Sequence, residues 1–121
     1  PLAERETSLY LAYDGEEGTL EPNVPEAPSE PRSYRYDPND PAPTRLNIEL
    51  YPIEDVPIVM DKVEARPDVL VYTSALLTET LEISVWAHLD LFASSDGDDT
   101  EWHVKLTDVQ PDGRSIKVCQ G

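Results

Sequence analysis

The chain of 121 residues has a single cysteine, Cys119, so it can form no internal disulfide and no cysteine-rich zinc site. Basic residues are scarce: 9 Lys and Arg stand against 25 Asp and Glu, for a net charge of −16. A field of that sign repels phosphate backbones and argues against nucleic-acid binding. No apolar run is long enough to cross a membrane, and no charged-then-apolar leader opens the chain. The first residue is Pro1 rather than Met, so the natural N-terminus and any signal on it are expected upstream. A soluble protein is expected, and one reduced thiol leaves its compartment open between cytoplasm and export. Helical periodicity is missing throughout. Apolar content is 39%, low for a globular domain.

What is present is proline, at 12 residues, and short alternating stretches. Thr7 to Tyr13 alternates apolar and small residues as a first strand, and Asp14-Gly15 supplies the reversal. Between Glu21 and Pro43 prolines stand at 22, 25, 28, 31, 38, 41 and 43, which forbids a helix and a central strand alike. Residues 21–45 therefore read as a proline-rich extended segment laid over a surface. Tyr34 and Tyr36 give it rings that need covering.

Residues 46–64 read as a loop with one short edge strand, interrupted at Pro52 and Pro57. From residue 65 to 121 the main sheet region is expected. Val69-Leu-Val-Tyr-Thr is rich in branched and aromatic side chains. Leu81, Ile83, Val85, Ala87, Leu89 and Leu91 share one face at period two, the cleanest strand pattern in the chain. Leu91–Gly113 reads as a hairpin module, breaking at Ser94 to Thr100, alternating through Trp102, Val104 and Leu106, and turning at Gln110-Pro-Asp-Gly113. Ile116 and Val118 mark a last strand. About five strands between Pro, Gly and Asp clusters predict an all-β sandwich. That is fewer than the eight strands of a jelly roll, so the chain reads as the N-terminal part of a longer domain, a partial β-sandwich over 1–121. Uncovered strand faces in such a part would seek a partner, and a second copy of the chain (a homo-oligomer) is one candidate.

Three stretches in order, Arg35-Tyr-Asp-Pro-Asn-Asp-Pro-Ala-Pro-Thr44, Arg66-Pro-Asp-Val-Leu-Val-Tyr-Thr-Ser74 and Leu91–Gly113, resemble the C-terminal jelly-roll domain of CocE/NonD-type serine hydrolases. X-Pro dipeptidyl-peptidases and cocaine esterase belong to that family. The resemblance implies a galactose-binding-like jelly roll that packs on an α/β-hydrolase domain of the same polypeptide and flanks its acyl pocket. Parents of this type cleave esters or peptides through a Ser-His-Asp triad whose serine sits in a Gly-x-Ser-x-Gly elbow. None of Ser8, Ser29, Ser33, Ser74, Ser84, Ser94, Ser95 and Ser115 has both flanking glycines. No catalytic, cofactor-binding or metal-binding residue is therefore assigned. A free-standing carbohydrate-binding β-sandwich module is the alternative.

Several constellations have both a chemical and a plain reading. Ser95, Asp99 and His103 contain the triad residue types, but nothing nearby supplies an oxyanion hole, and His103 is expected on a solvent face opposite Trp102. Asp96, Asp98 and Asp99 around Gly97 suit calcium, but they read more simply as turn carboxylates that accept backbone amides. Trp86, Trp102 and the six tyrosines could stack on sugar. Trp86, out of phase with the apolar face of its stretch, reads more simply as an interface aromatic. Cys119 reads as a small buried hydrophobe.

Overall fold

A computed structural model describes residues 6–43, 57–83 and 87–121. It divides into two compact units, Pro1–Ser33 with Val71–Asp96, and Tyr34–Leu70 with Gly97–Gly121. Among the described residues there are five strands and one helical turn, which is the all-β class the sequence predicts.

The first unit is built on a hairpin of β1 (Tyr10–Tyr13) and β2 (Gly18–Glu21), antiparallel from Tyr10 opposite Glu21 to Tyr13 opposite Gly18. The reversal expected at Asp14-Gly15 is there. Asp14 Oδ1 accepts the amides of Glu16 and Glu17, both at 2.9 Å, and Gly15 takes a φ of 104° that a side chain would resist. Those amides hold the Asp14 carboxyl below its ordinary pKa. The short β3 (Thr73–Ser74) lies parallel to β2, which is central in the order β1-β2-β3.

The second unit carries the hairpin of β4 (Lys105–Val109) and β5 (Ser115–Gln120), with a register shift between Leu106 and Thr107. Its turn uses Gly113 at φ 87°, and Gln110 and Arg114 close it through a 2.8 Å amide-to-carbonyl bond. Along the far edge of β5, Met60 donates to the Ser115 carbonyl at 2.8 Å and Lys117 donates to that of Ile58 at 3.0 Å. A single helical turn, α1 (Asp61–Glu64), follows. It packs Val63 with Ile58 and Met60 into the buried core, and Val69 rests against that cluster. Met60 is only 1% exposed.

Three local expectations differ from the structure. The 46–64 region was expected to hold no helix, yet α1 forms there. One turn is too short for periodicity to register, and Pro67 disfavours helix at Arg66 and so limits it. Of Val69–Thr73 only Thr73 joins a ladder. The third concerns 81–91: Leu81–Ile83 and Ala87–Leu91 lie outside any strand with their side chains exposed, and residues 84–86 fall outside the described residues. A period-two pattern specifies a strand's faces, but a ladder also needs a neighbour for its amides, and among the described residues none pairs with Leu81–Ile83 or Ala87–Leu91.

Candidate interaction surface

Two of the sequence stretches singled out above meet at one arginine. Arg66, just beyond α1, donates through Nε and Nη2 to the two carboxylate oxygens of Asp68 at 2.7 and 2.8 Å. The same guanidinium reaches Asp40, donating to its carbonyl at 2.7 Å and pairing with its carboxylate at 3.3 Å. Hydrogen bonding to Asp68 and then Asp40 strengthens the protonated form of Arg66, while the guanidinium keeps the Asp68 carboxyl below its ordinary range. Arg66-Pro-Asp68 thus anchors the proline-rich stretch through the Asp37–Asp40 turn, where Asp40 N donates to Asp37 O at 3.1 Å.

A second tie fixes α1 to the hairpin. The Ser115 amide donates to Asp61 Oδ1 at 2.7 Å, and its hydroxyl donates to Glu64 Oε1 at 2.6 Å. Thr107 Oγ1 donates to the same Glu64 oxygen at 3.1 Å. Ser115 is buried and engaged on both polar groups, which suits a structural hydroxyl and not a nucleophile.

In the first unit the proline-rich segment is tied down by Ser29 and Arg32. Ser29 Oγ accepts the Tyr13 amide at 3.1 Å. The Arg32 guanidinium lies 5.0 Å from the Tyr13 ring centre and 4.9 Å from that of Tyr72, and donates to the Val71 carbonyl at 2.6 Å. A side chain on Gly18 would collide with that carbonyl and with the guanidinium.

Beyond these ties lies a long open stretch. Every described residue from Ala75 to Val104 is exposed, and none belongs to a helix or strand. Within it Leu76 is 95% and Phe92 103% exposed, and Leu77, Leu81, Ile83, Leu89 and Leu91 are open as well. A concentration of large exposed apolar side chains of this kind makes the stretch a candidate interaction surface. The period-two sequence pattern had pointed to Leu81, Ile83, Leu89 and Leu91 as one face of a strand, whereas Leu76, Leu77 and Phe92 lie outside it.

The sequence candidates fall elsewhere. His103 is exposed and pairs with Glu101 at 3.6 Å. Ser95 and Asp96 belong to the first unit, whereas Asp98, Asp99 and His103 belong to the second. Among the described residues no three His, Cys, Asp or Glu side chains are grouped closely enough to hold a metal ion. Trp86 lies outside the described residues. Trp102 meets Tyr34 edge to face, centroids 6.1 Å apart at 87°, so one ring's edge occupies the other's face instead of both lying open as a platform. Cys119 is exposed, where a buried thiol was expected, because among the described residues nothing covers the β5 positions beyond Lys117. Sequence reading assigned no role to Asp40, Arg66, Asp61 or Glu64, which the structure shows as ties within the second unit. Arg66-Pro-Asp68 carried a signal in its bidentate spacing, and the Asp61 and Glu64 contacts carried none.

Comparison with known proteins agrees with a non-catalytic part. A family model described as the X-Pro dipeptidyl-peptidase C-terminal non-catalytic domain matches residues 1–121. Over 90 residues the chain is 39% identical to the cocaine esterase of Rhodococcus sp. (strain MB1 Bresler), covering 74% of this chain and 16% of that protein. The chain therefore spans about a sixth of that relative's length. No solved structure matches it. With a full-length match to the family and no nucleophile elbow in the sequence, the chain belongs to the X-Pro dipeptidyl-peptidase C-terminal non-catalytic domain family.

Proposed function

We propose that this chain is the C-terminal jelly-roll part of an α/β-hydrolase-type serine hydrolase that cleaves esters or X-Pro peptides. In this reading it packs on the hydrolase core of the same polypeptide and flanks the acyl pocket, contributing no catalytic group of its own. The observation that carries the reading is the exposure of Leu76, Leu77, Leu81, Ile83, Leu89, Leu91 and Phe92. Leaving such side chains in water forgoes about 25 cal/mol for each Å² of apolar surface, so a stable parent is expected to cover them. The similarity to cocaine esterase supports the choice of partner.

The coding region upstream provides the test. A Gly-x-Ser-x-Gly segment followed by Asp and His, in a product that hydrolyses nitrophenyl esters or X-Pro amides, is the expected finding. A glycosidase domain there, or micromolar sugar binding by the chain alone, would replace this reading with the carbohydrate-binding one.

A further inference from the structure

We infer that Asp96 is a self-modification site, at which the Gly97 amide closes on the Asp96 side chain and converts the residue to isoaspartate. Three of the five glycines follow an aspartate, in Asp14-Gly15, Asp96-Gly97 and Asp112-Gly113. Each pair has the same latent chemistry, because glycine carries no Cβ to keep its nitrogen away from the preceding carboxyl carbon. The fold treats the three differently.

Two of the carboxylates are held. Asp14 Oδ1 accepts the amides of Glu16 and Glu17, both at 2.9 Å. Asp112 accepts the Arg114 amide at 3.1 Å and the Arg114 Nε at 2.8 Å. These donors keep both carboxyls below their ordinary pKa, which disfavours the neutral acid, the better electrophile. Gly113 is held too, its amide donating to the Gln110 carbonyl at 2.8 Å. Asp96 stands apart. It is exposed, belongs to no helix or strand, and among the described residues no hydrogen bond or ion pair engages its carboxylate. Asp96 and Gly97 are joined covalently, so closure needs only rotation about the bonds of that dipeptide.

In the first step the Gly97 nitrogen attacks Cγ of the protonated Asp96 carboxyl. A C–N bond forms, Cγ loses its hydroxyl and the nitrogen its proton, and the two leave as water. Water then adds to one carbonyl of the cyclic imide. Opening at Cγ restores aspartate, whereas opening at the main-chain carbonyl carbon routes the chain through Cγ and frees the α-carboxylate. One water leaves and one enters, nothing is oxidised or reduced, and the net charge stays at −16. The main chain gains a methylene within the exposed loop from Ser94 to Thr100.

The test is warm incubation, near neutral pH, of the intact polypeptide that carries this chain. Peptides are then mapped by mass spectrometry after digestion with an endoproteinase that cuts before aspartate and spares isoaspartate. Isoaspartate should accumulate at Asp96 about tenfold or more faster than at Asp14 or Asp112, the worth of one hydrogen bond to a charged group. In concentrated urea, which dissolves the turns, the three rates should converge. Gly97→Ala should remove most of the product at Asp96, because its methyl crowds the attacking nitrogen. Arg114→Ala should raise the rate at Asp112. Equal rates at the three sites in the folded protein, a product that appears first at Asp14 or Asp112, or a gap that persists in urea would each overturn the inference. So would the absence of isoaspartate at Asp96.

Discussion

Replacing Gly18 with alanine should cost far more than replacing Gly15, although Gly15 has the less permissive backbone. At Gly15 the φ is 104° and nothing stands within 4 Å of an added Cβ. The penalty there is conformational and amounts to about 1 kcal/mol, with some recovery from the unfolded chain. At Gly18 the added methyl falls on the Val71 carbonyl oxygen and the Arg32 guanidinium, and comes within 2.9 Å of Tyr72 Cδ1. The carbonyl belongs to the backbone leading into β3, so relief requires either opening the β2–β3 pairing or expelling Arg32. Expelling Arg32 forfeits a partly buried, charge-assisted hydrogen bond and two cation–π contacts, together about 2 to 4 kcal/mol. Urea unfolding followed by far-ultraviolet circular dichroism measures both variants. Arg32→Ala should cost a similar amount alone, and the Gly18→Ala/Arg32→Ala pair should cost clearly less than the sum, because both remove the same contacts. Equal costs for Gly15→Ala and Gly18→Ala, or strict additivity with Arg32→Ala, would refute the description of this strap.

Further outcomes follow from the second unit and from chemistry. Met60→Ala empties the most buried side chain of a three-residue core and should cost about 2 to 3 kcal/mol in the same unfolding assay, whereas Val118→Ala, on an exposed face, should be close to neutral. Asp68 has its folded pKa below the ordinary value of 3.8, so its contribution is present above that pH and is lost as the pH falls through the depressed folded value. Asp68→Asn should therefore flatten the decline of the urea midpoint between about pH 5 and about pH 3. The chain alone should not hydrolyse a nitrophenyl ester, and residual turnover abolished by His103→Ala would reverse that reading.

The strands that form were legible where local chemistry is self-sufficient. Asp14-Gly15 and Gln110-Pro-Asp-Gly113 specify their turns with side chains two or three residues away, so both turns could be read directly, although the return strand β2 was not named. Arg66-Pro-Asp68 was legible as a recognisable stretch, but its partner Asp40 is 26 residues distant and no local pattern announces such a contact. α1 was missed because a single turn held by Ser115 depends on tertiary bonds and not on periodicity. The pattern through 81–91 identified which side chains are apolar on one face and said nothing about what covers them. A strand face and a docking face use the same alternation, and only the neighbour distinguishes them.

Packing of the Leu76–Phe92 stretch on the parent's hydrolase core is tested most directly by the reactivity of Phe92→Cys toward a maleimide, in a Cys119→Ser background because Cys119 is itself exposed. The rate is read on the modified peptide by mass spectrometry, in the 121-residue chain and in the intact parent polypeptide. The account predicts immediate labelling in the chain and labelling slower by about tenfold or more in the parent, where reaction waits on local opening. Equal rates in the two would contradict it.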